Sequence, residues 1–166
     1  AAKQIALRFE ISINLSTSTV GRRHVVDAIA DALRREGAPA SGLTVEITET
    51  ALMKDVPAAR RFADDLSSLG IHLALDDFGT GFGGFTYLKK LPIHRLKIDV
   101  EFVKDLPTSR ASQQVVKAVV ALADGFGLDT VAEGVEDQRS RELLEEYGVD
   151  FMQGFHLGRP GPMGKV

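Results

Sequence analysis

The sequence contains no cysteine, no long apolar run and no block of basic residues. The lack of cysteine excludes a disulfide scaffold, a cysteine-ligated zinc site, an iron–sulfur cluster and a thiol nucleophile, so a bound metal would need oxygen or imidazole ligands. No segment approaches the ~20 apolar residues of a membrane span, and the first ten residues lack the apolar stretch of a signal peptide. We therefore expect a cytoplasmic segment that does not insert into a membrane, although a parent protein could still be tethered to a membrane sensor.

The composition is that of one ordinary globular domain, which we place at residues 1–166 because no linker or low-complexity stretch divides the chain. Of the 166 residues, 44% are hydrophobic and 26% are charged, and the formal net charge is -3. A chain of this length can bury a hydrophobic core without disulfides or a structural metal. Its mildly acidic balance, without a cluster of Lys and Arg, argues against a DNA or RNA polymer as a partner.

Hydrophobic periodicity predicts strands that alternate with helices. Segments with a period of two residues predict strands, and segments with helical spacing, bounded by capping residues and glycines, predict helices. The predicted strands are 9–15, 43–48, 71–77, 95–99, 128–133 and 150–155, and the predicted helices are 25–36, 55–70, 85–91, 113–123 and 138–147. This alternation indicates an α/β fold with a parallel sheet and right-handed crossovers.

The polar positions within the strands favour a barrel over an open sheet. Strands of an open parallel sheet are covered by helices on both faces and are apolar on both. Here Asn14, Glu46 and Lys97 each lie between apolar neighbours, as expected when one face meets helices and the other lines a barrel with functional groups near its mouth. Since a (β/α)₈ TIM-type barrel needs eight strands, the six predicted units form an incomplete barrel.

Carboxylates at the strand ends predict a metal site. Glu46, the pair Asp76 and Asp77, and Glu133 end three strands, and Asn14 ends another. Four acids and an amide at one mouth would repel one another without cations, and an oxygen-only ligand set suits hard divalent ions such as Mg²⁺ or Mn²⁺. Adjacent aspartates are compatible with two ions, because one carboxylate can bridge them while its neighbour binds the second.

Lys97, on the inward face of the fourth strand, could hold or deprotonate an attacking water or contact a phosphate. Each of these residues alone also has a structural explanation, since strand-end acids are often solvated and Asp-Asp before glycine is common turn chemistry. Together, polar groups at the same end of five strands favour a site. The four histidines share no metal-ligand spacing, and we interpret them as structural or exposed.

A glycine-rich segment leaves open a different class of function. Gly79, Gly81 and Gly84 follow a strand, and Asp99 lies 20 residues after the first glycine, as in the fingerprint of a nicotinamide-dependent oxidoreductase. Two aspartates directly before this turn would repel a pyrophosphate. The segment 77–79 also matches the magnesium motif of protein kinases, but no catalytic loop of the H-R-D type precedes it.

Six ordered segments resemble those of one protein family. They are SINLS (12–16), EITE (46–49), DDFGTG (76–81), LKID (96–99), AEGVE (132–136) and QGF (153–155). They are similar to the motifs of the EAL-domain cyclic-di-GMP phosphodiesterases, and the similarity extends from about Phe9 to Pro162. The resemblance implies a (β/α)₈ barrel that hydrolyses one phosphodiester of cyclic di-GMP, giving linear pGpG, with two Mg²⁺ or Mn²⁺ ions.

The resemblance also implies a set of metal ligands. Asn14, Glu46 and Asp76 resemble the ligands of one ion, and Asp76 would bridge to a second ion with Asp77 and Glu133 nearby. Asp77 and Glu133 are thereby implied to take part in catalysis.

Further roles follow from the same resemblance. Lys97 is similar to the family's water-orienting catalytic lysine, and Gln153, together with Asp77, is implied to contact the substrate. Glu49 would steady the loop after Asp77, and Asp99 would likewise support the site without binding a metal.

One family motif has no counterpart in this sequence. The Glu-Ala-Leu segment, with a metal-binding glutamate, precedes the Asn-Leu-Ser motif in the family, and a complete barrel takes ~250 residues. We therefore expect an N-terminally incomplete barrel that alone binds metal poorly, hydrolyses little and either forms a homo-oligomer or associates with the missing N-terminal segment. The alternative is a catalytically impaired module that binds cyclic di-GMP or another protein.

Overall fold

The computed structural model describes residues 10–79 and 87–161. The strands are β1 (Ile11–Asn14), β2 (Leu43–Thr48), β3 (His72–Phe78), β4 (Arg95–Ile98), β5 (Asp129–Ala132) and β6 (Phe151–Met152). The helices are α1 (Arg23–Glu36), α2 (Glu49–Lys54), α3 (Val56–Ser68), α4 (Val100–Lys104), α5 (Arg110–Phe126) and α6 (Gln138–Tyr147), and a 3₁₀ turn spans Ala40–Gly42. Phe9, Gly81, Gly84, Pro162 and part of the predicted helix 85–91 lie outside the described residues.

The six strands form one parallel sheet in chain order, β1 to β6. The sheet is curled, because side chains of β4 meet side chains from the first two strands across its inner face. Arg95 pairs with Glu10, just before β1, and Lys97 pairs with Glu46 on β2. This is an incomplete TIM-type barrel, which confirms the predicted fold class.

The hydrophobic core lies between the outer face of the sheet and the helices. Residues that alternate with the inward polar positions are buried there, among them Ile47, Leu75 and Ile98. Phe62 of α3 and Leu144 of α6 belong to the same core. Full burial of such side chains contributes roughly 1.5–3 kcal/mol each. The sheet therefore turns its polar face inward because its apolar face is covered by helices.

The longer helices agree with their sequence signals. Asp55 caps α3 by accepting a hydrogen bond from the Ala58 N–H, 3.0 Å, and Asp137 caps α6. Gly37 and Gly148 end α1 and α6 in the left-handed conformation, as C-terminal glycines commonly do.

Two short helices, α2 and α4, are absent from the sequence prediction. They contain 6 and 5 residues, which is too short for helical periodicity to be read. Each begins at a capping side chain directly after a strand. Thr48 accepts a hydrogen bond from the Ala51 N–H, and Asp99 accepts one from the Glu101 N–H, 2.7 Å.

The last strand is shorter than predicted. β6 contains two residues because the chain beyond it bonds to the loop after β5. Val135 N–H donates to the Gln153 carbonyl, and His156 N–H donates to the Val135 carbonyl, each at 3.0 Å. Among the helices described, none is long and apolar enough to cross a membrane.

Candidate metal centre

The stagger of the strands brings Glu46 and Lys97 to the same height inside the barrel. In an eight-stranded barrel with a shear of 8, residues at one height advance by about one position from each strand to the next. Glu46 pairs with Ala74, and Leu75 pairs with Leu96. Applying this step twice leads from Glu46 to Lys97, two strands away.

The same step relates the other polar strand ends. Over β1 to β5 it brings Asn14, Asp76 and Glu133 to one height, and over β4 to β6 it brings Gln153 level with Lys97. Polar groups from odd-numbered strands therefore form one layer, and those from even-numbered strands form a layer beneath it. Alternating layers of this kind fill TIM-type barrels.

Three carboxylates converge on the ammonium group of Lys97. Lys97 Nζ lies 2.6 Å from Glu133 Oε1 and 3.0 Å from Asp76 Oδ1, and it also pairs with Glu46 Oε2. One oxygen from each of the three acids lies within 4.8 Å of the others. The side chain of Lys97 is only 5% exposed. We call Glu46, Asp76, Glu133 and Lys97 the carboxylate cluster.

The Asn14 amide adds a fourth oxygen-bearing group to this arrangement. Its inward-facing terminal atom lies 3.2 Å from Glu46 Oε2 and 3.2 Å from Asp76 Oδ2. With its nitrogen at that position, the amide donates to both carboxylates. Carboxylate and amide oxygens are the ligands that Mg²⁺ and Mn²⁺ prefer. The residues present therefore fit a divalent ion.

Mutual contacts shift the pKa values of the cluster. Burial of Lys97 opposes its charge, but hydrogen bonds with Glu133, Glu46 and Asp76 outweigh burial and raise the Lys97 pKa above its ordinary value. Burial raises the pKa of Glu133, and the charges of Asp76 and Glu46 act in the same direction, while Lys97 opposes them. Lys97 is thus held as an ammonium ion by acids that are crowded together.

Asp77 occupies a different position from Asp76. Its φ of 56° is the one positive value among non-glycine residues in the part of the chain that the structure describes, and it lies where the pairing of β3 with β4 shifts register between Leu75 and Phe78. Burial raises the Asp77 pKa, as do the charge of Asp76 and a hydrogen bond with Asp99. Asp77 is not in the group of three converging acids; its carboxyl pairs with Asp99, the capping residue of α4.

The remaining predicted residues lie around the cluster. Gln153 Nε2 donates to Glu133 Oε1 at 2.8 Å, which ties the end of β6 to the cluster. Glu49 is the first residue of α2 and is buried, with 5% of its surface exposed. It lies next to Thr48, which pairs with Asp76 in the sheet.

A second ionic group, which the sequence analysis does not single out, lies deeper in the barrel. Arg95 pairs with Glu10 and with Asp129, the latter at 3.4 Å, and its guanidinium lies 4.6 Å above the Phe151 ring. The Thr44 hydroxyl donates to Glu10 at 2.7 Å. Arg95 precedes Lys97 by two residues, so the period of the strand could have indicated that both point inward.

Comparison with known proteins agrees with this fold. The profile of the EAL domain family matches residues 1–160. Two curated relatives from Pseudomonas aeruginosa are the cyclic di-GMP phosphodiesterase NbdA, 36% identical over 94% of this chain, and the bifunctional diguanylate cyclase/cyclic di-GMP phosphodiesterase MucR, 39% identical over 93% of this chain. The chain belongs to the EAL-domain family.

Solved structures support the same assignment. The MucR phosphodiesterase in complex with cyclic di-GMP has a TM-score of 0.87 at 39% identity, over 92% of this chain and 62% of that one. Klebsiella pneumoniae BlrP1, in a complex with manganese and cyclic di-GMP, has a TM-score of 0.85 at 31% identity, over 91% of this chain and 39% of that one. The chain spans only 20% of NbdA and 22% of MucR.

Proposed function

We propose that the domain to which this chain belongs hydrolyses one phosphodiester bond of cyclic di-GMP to give linear pGpG, with two divalent ions, Mg²⁺ or Mn²⁺. The observation that carries the proposal is the carboxylate cluster at the mouth of the barrel, completed by Asn14, in a member of the EAL-domain family. The activity and the ligand named for MucR and NbdA agree with it.

Charge is the physical reason for assigning metal ions to the reaction. Three carboxylates face one ammonium group in the cluster, so the mouth is formally negative and would repel a substrate with two phosphodiester groups. Bound divalent ions would supply positive charge to the phosphate oxygens and make water more acidic. Asn14, Glu46 and Asp76 would hold one ion, and Asp76 would be shared with a second ion near Asp77 and Glu133.

Lys97 is proposed as the donor that orients water or a phosphate oxygen. Of the roles considered from sequence, removal of a proton would require a neutral amine, which three neighbouring carboxylates disfavour. An ammonium group, in contrast, offers three N–H donors. Burial raises the pKa of Glu133 and of Asp77, and a base with a pKa closer to neutrality transfers protons more effectively, so these two acids are proposed as the proton acceptors.

Gln153 and Asp77 are proposed to contact the substrate beside the ions. The Gln153 amide already donates to Glu133 and keeps its carbonyl oxygen for another partner. Glu49 and Asp99 would act by holding backbone in place, Asp99 through the cap of α4 and its contact with Asp77.

The test is a hydrolysis assay on the natural protein that contains these residues. We expect purified protein to convert cyclic di-GMP to pGpG with Mg²⁺ or Mn²⁺, to stop when EDTA is added, and to lose turnover in Asp76→Asn. A folded protein that releases no pGpG with either metal would contradict the proposal. Binding of cyclic di-GMP without turnover would instead support the alternative of a receptor module.

We further propose that the open edges of the sheet are covered, either by a second copy of this segment or by an N-terminal segment that completes the barrel. The outer edges of β1 and β6 have no paired strand among residues 10–79 and 87–161, and the edge residues Ile11 and Phe151 are 57% and 46% exposed. Unpaired edges favour association. In light scattering the 166-residue chain should form an oligomer or bind a segment that completes the barrel, and a stable monomer would contradict this.

A further inference from the structure

The ammonium of Lys97 lies among the three acids of the carboxylate cluster. It donates a hydrogen bond to Glu46 Oε2 and forms ion pairs with Glu133 and Asp76. Its side chain is only 5% exposed. To contact water or phosphate in the proposed reaction, Lys97 would therefore have to move away from at least one of these acids.

The same oxygens that bind Lys97 belong to the proposed metal ligands. Glu46 Oε2 contacts Lys97 Nζ and also faces the Asn14 amide at 3.2 Å. Asp76 uses Oδ1 for Lys97 and Oδ2 for Asn14. A divalent ion held by Asn14, Glu46 and Asp76 would draw on these same carboxylate oxygens. Its two positive charges would then repel an ammonium held by the same carboxylates.

The formal charges of the cluster also indicate that Lys97 and a divalent ion compete for the same carboxylates. Three carboxylates against one ammonium leave an excess of two negative charges, which one divalent ion would neutralise. Without Lys97 the excess would be three, and the attraction for a divalent ion would be stronger. Lys97 would therefore compete with a divalent ion for the carboxylate cluster.

We propose that Lys97 is a tethered counter-cation, which occupies the carboxylate cluster in the ion-free protein and is displaced from Glu46 and Asp76 when a divalent ion binds. This inference rests on the proposed metal centre. It adds that Lys97 limits how readily a divalent ion binds there. Binding of the ion would free the N–H groups with which Lys97 orients water or phosphate. Metal occupancy and the availability of Lys97 would thus be coupled.

The test compares the affinity of Mn²⁺ alone, measured by calorimetry, in the natural protein that contains these residues (the wild type) and in its Lys97→Met variant. We expect Lys97→Met to bind Mn²⁺ at least about tenfold more tightly, because a unit charge next to a dication has been removed from a partly buried site. Arg95→Met is the matched control, since it removes a positive charge from the inner face of the same strand without touching the cluster. It should change the affinity much less.

A second measurement uses the unaltered lysine and guards against misfolding of the variant. In ¹⁵N-labelled wild type without metal, the protected Lys97 ammonium should give a slowly exchanging NMR signal, which Mg²⁺ should shift or broaden. Lys97→Gln provides a neutral variant that keeps a donor and should also bind Mn²⁺ more tightly than the wild type.

The outcomes separate the two proposals. If the wild type binds Mn²⁺ and Lys97→Met binds it equally or more weakly, the counter-cation is refuted and the metal centre stands. If Arg95→Met tightens binding as much as Lys97→Met, the effect is one of overall charge and the inference is also refuted. If neither the wild type nor the Lys97 variants bind Mn²⁺, the metal centre itself fails and the inference with it.

Discussion

Substitution of Gly154 by alanine should destabilise the protein, because the backbone of Val135 occupies the space that a side chain would need. A Cβ atom at Gly154 would lie 2.2 Å from Val135 N and 2.3 Å from Val135 O. Non-bonded heavy atoms are best separated by about 3.5–4.0 Å. One of the two loops would therefore have to move by more than ~1 Å.

The cost follows from the contacts that join these loops. Val135 N–H donates to Gln153 O, and His156 N–H donates to Val135 O, each at 3.0 Å. Loss of each hydrogen bond costs about 1 kcal/mol, and overpacking adds about 1–3 kcal/mol. We expect Gly154→Ala to lose about 3–5 kcal/mol in the free energy of unfolding, which for 150–250 residues lowers Tm by roughly 6–20 °C.

The assay is urea unfolding followed by circular dichroism, with Gly158→Ala as the control. A Cβ at Gly158 would meet nothing within 4 Å, so this variant should stay within about 0.5 kcal/mol of the wild type. If Gly154→Ala also stays within that range, the close approach of the two loops does not constrain the fold. Because Gly154 follows Gln153, the variant should also weaken the contact between Gln153 and Glu133.

Three further predictions concern metal binding, pH and helix capping. In a Mn²⁺ titration, Asp76→Asn should weaken the binding of both ions, whereas Asp77→Asn should weaken mainly the binding of one. Equal, negligible effects of the two substitutions would overturn the bridging role of Asp76. His94 accepts a backbone N–H through Nδ1, and burial, followed by neighbouring basic groups, lowers its pKa below 6.5. The unfolded chain therefore takes up this proton at a higher pH than the folded protein, so stability should fall as the pH drops through 6.5. His94→Gln should flatten that part of the urea-unfolding pH profile, and an unaltered profile would refute the explanation. Asp137→Ala removes a helix cap that accepts a hydrogen bond from the Ser140 N–H at 2.8 Å, and it should lower the free energy of unfolding by about 1 kcal/mol. An unchanged unfolding midpoint would contradict this.

Local signals in the sequence predicted most of the elements. β2 has the predicted bounds, Leu43–Thr48, because six alternating residues carry a period of two. α6 also has its predicted bounds, since Asp137 and Gly148 mark both ends. α2 and α4 were missed because a helix of one or two turns is specified by its cap and by the strand before it. β6 is shorter than predicted because the residues after it form hydrogen bonds with the loop that follows β5.

For the site, the sequence determined which side chains point into the barrel and, through its motifs, the family. Inward placement of Glu46 and Lys97 follows from alternation along a single strand, which is a local property. Their contact with each other depends on the stagger between strands, which the backbone hydrogen bonds of the folded sheet set. Likewise the left-handed backbone of Asp77, whose carboxyl contacts Asp99, lies where the pairing of β3 with β4 shifts register. No local pattern in the sequence places three separated acids around one ammonium group, because that contact depends on the curling of the whole sheet.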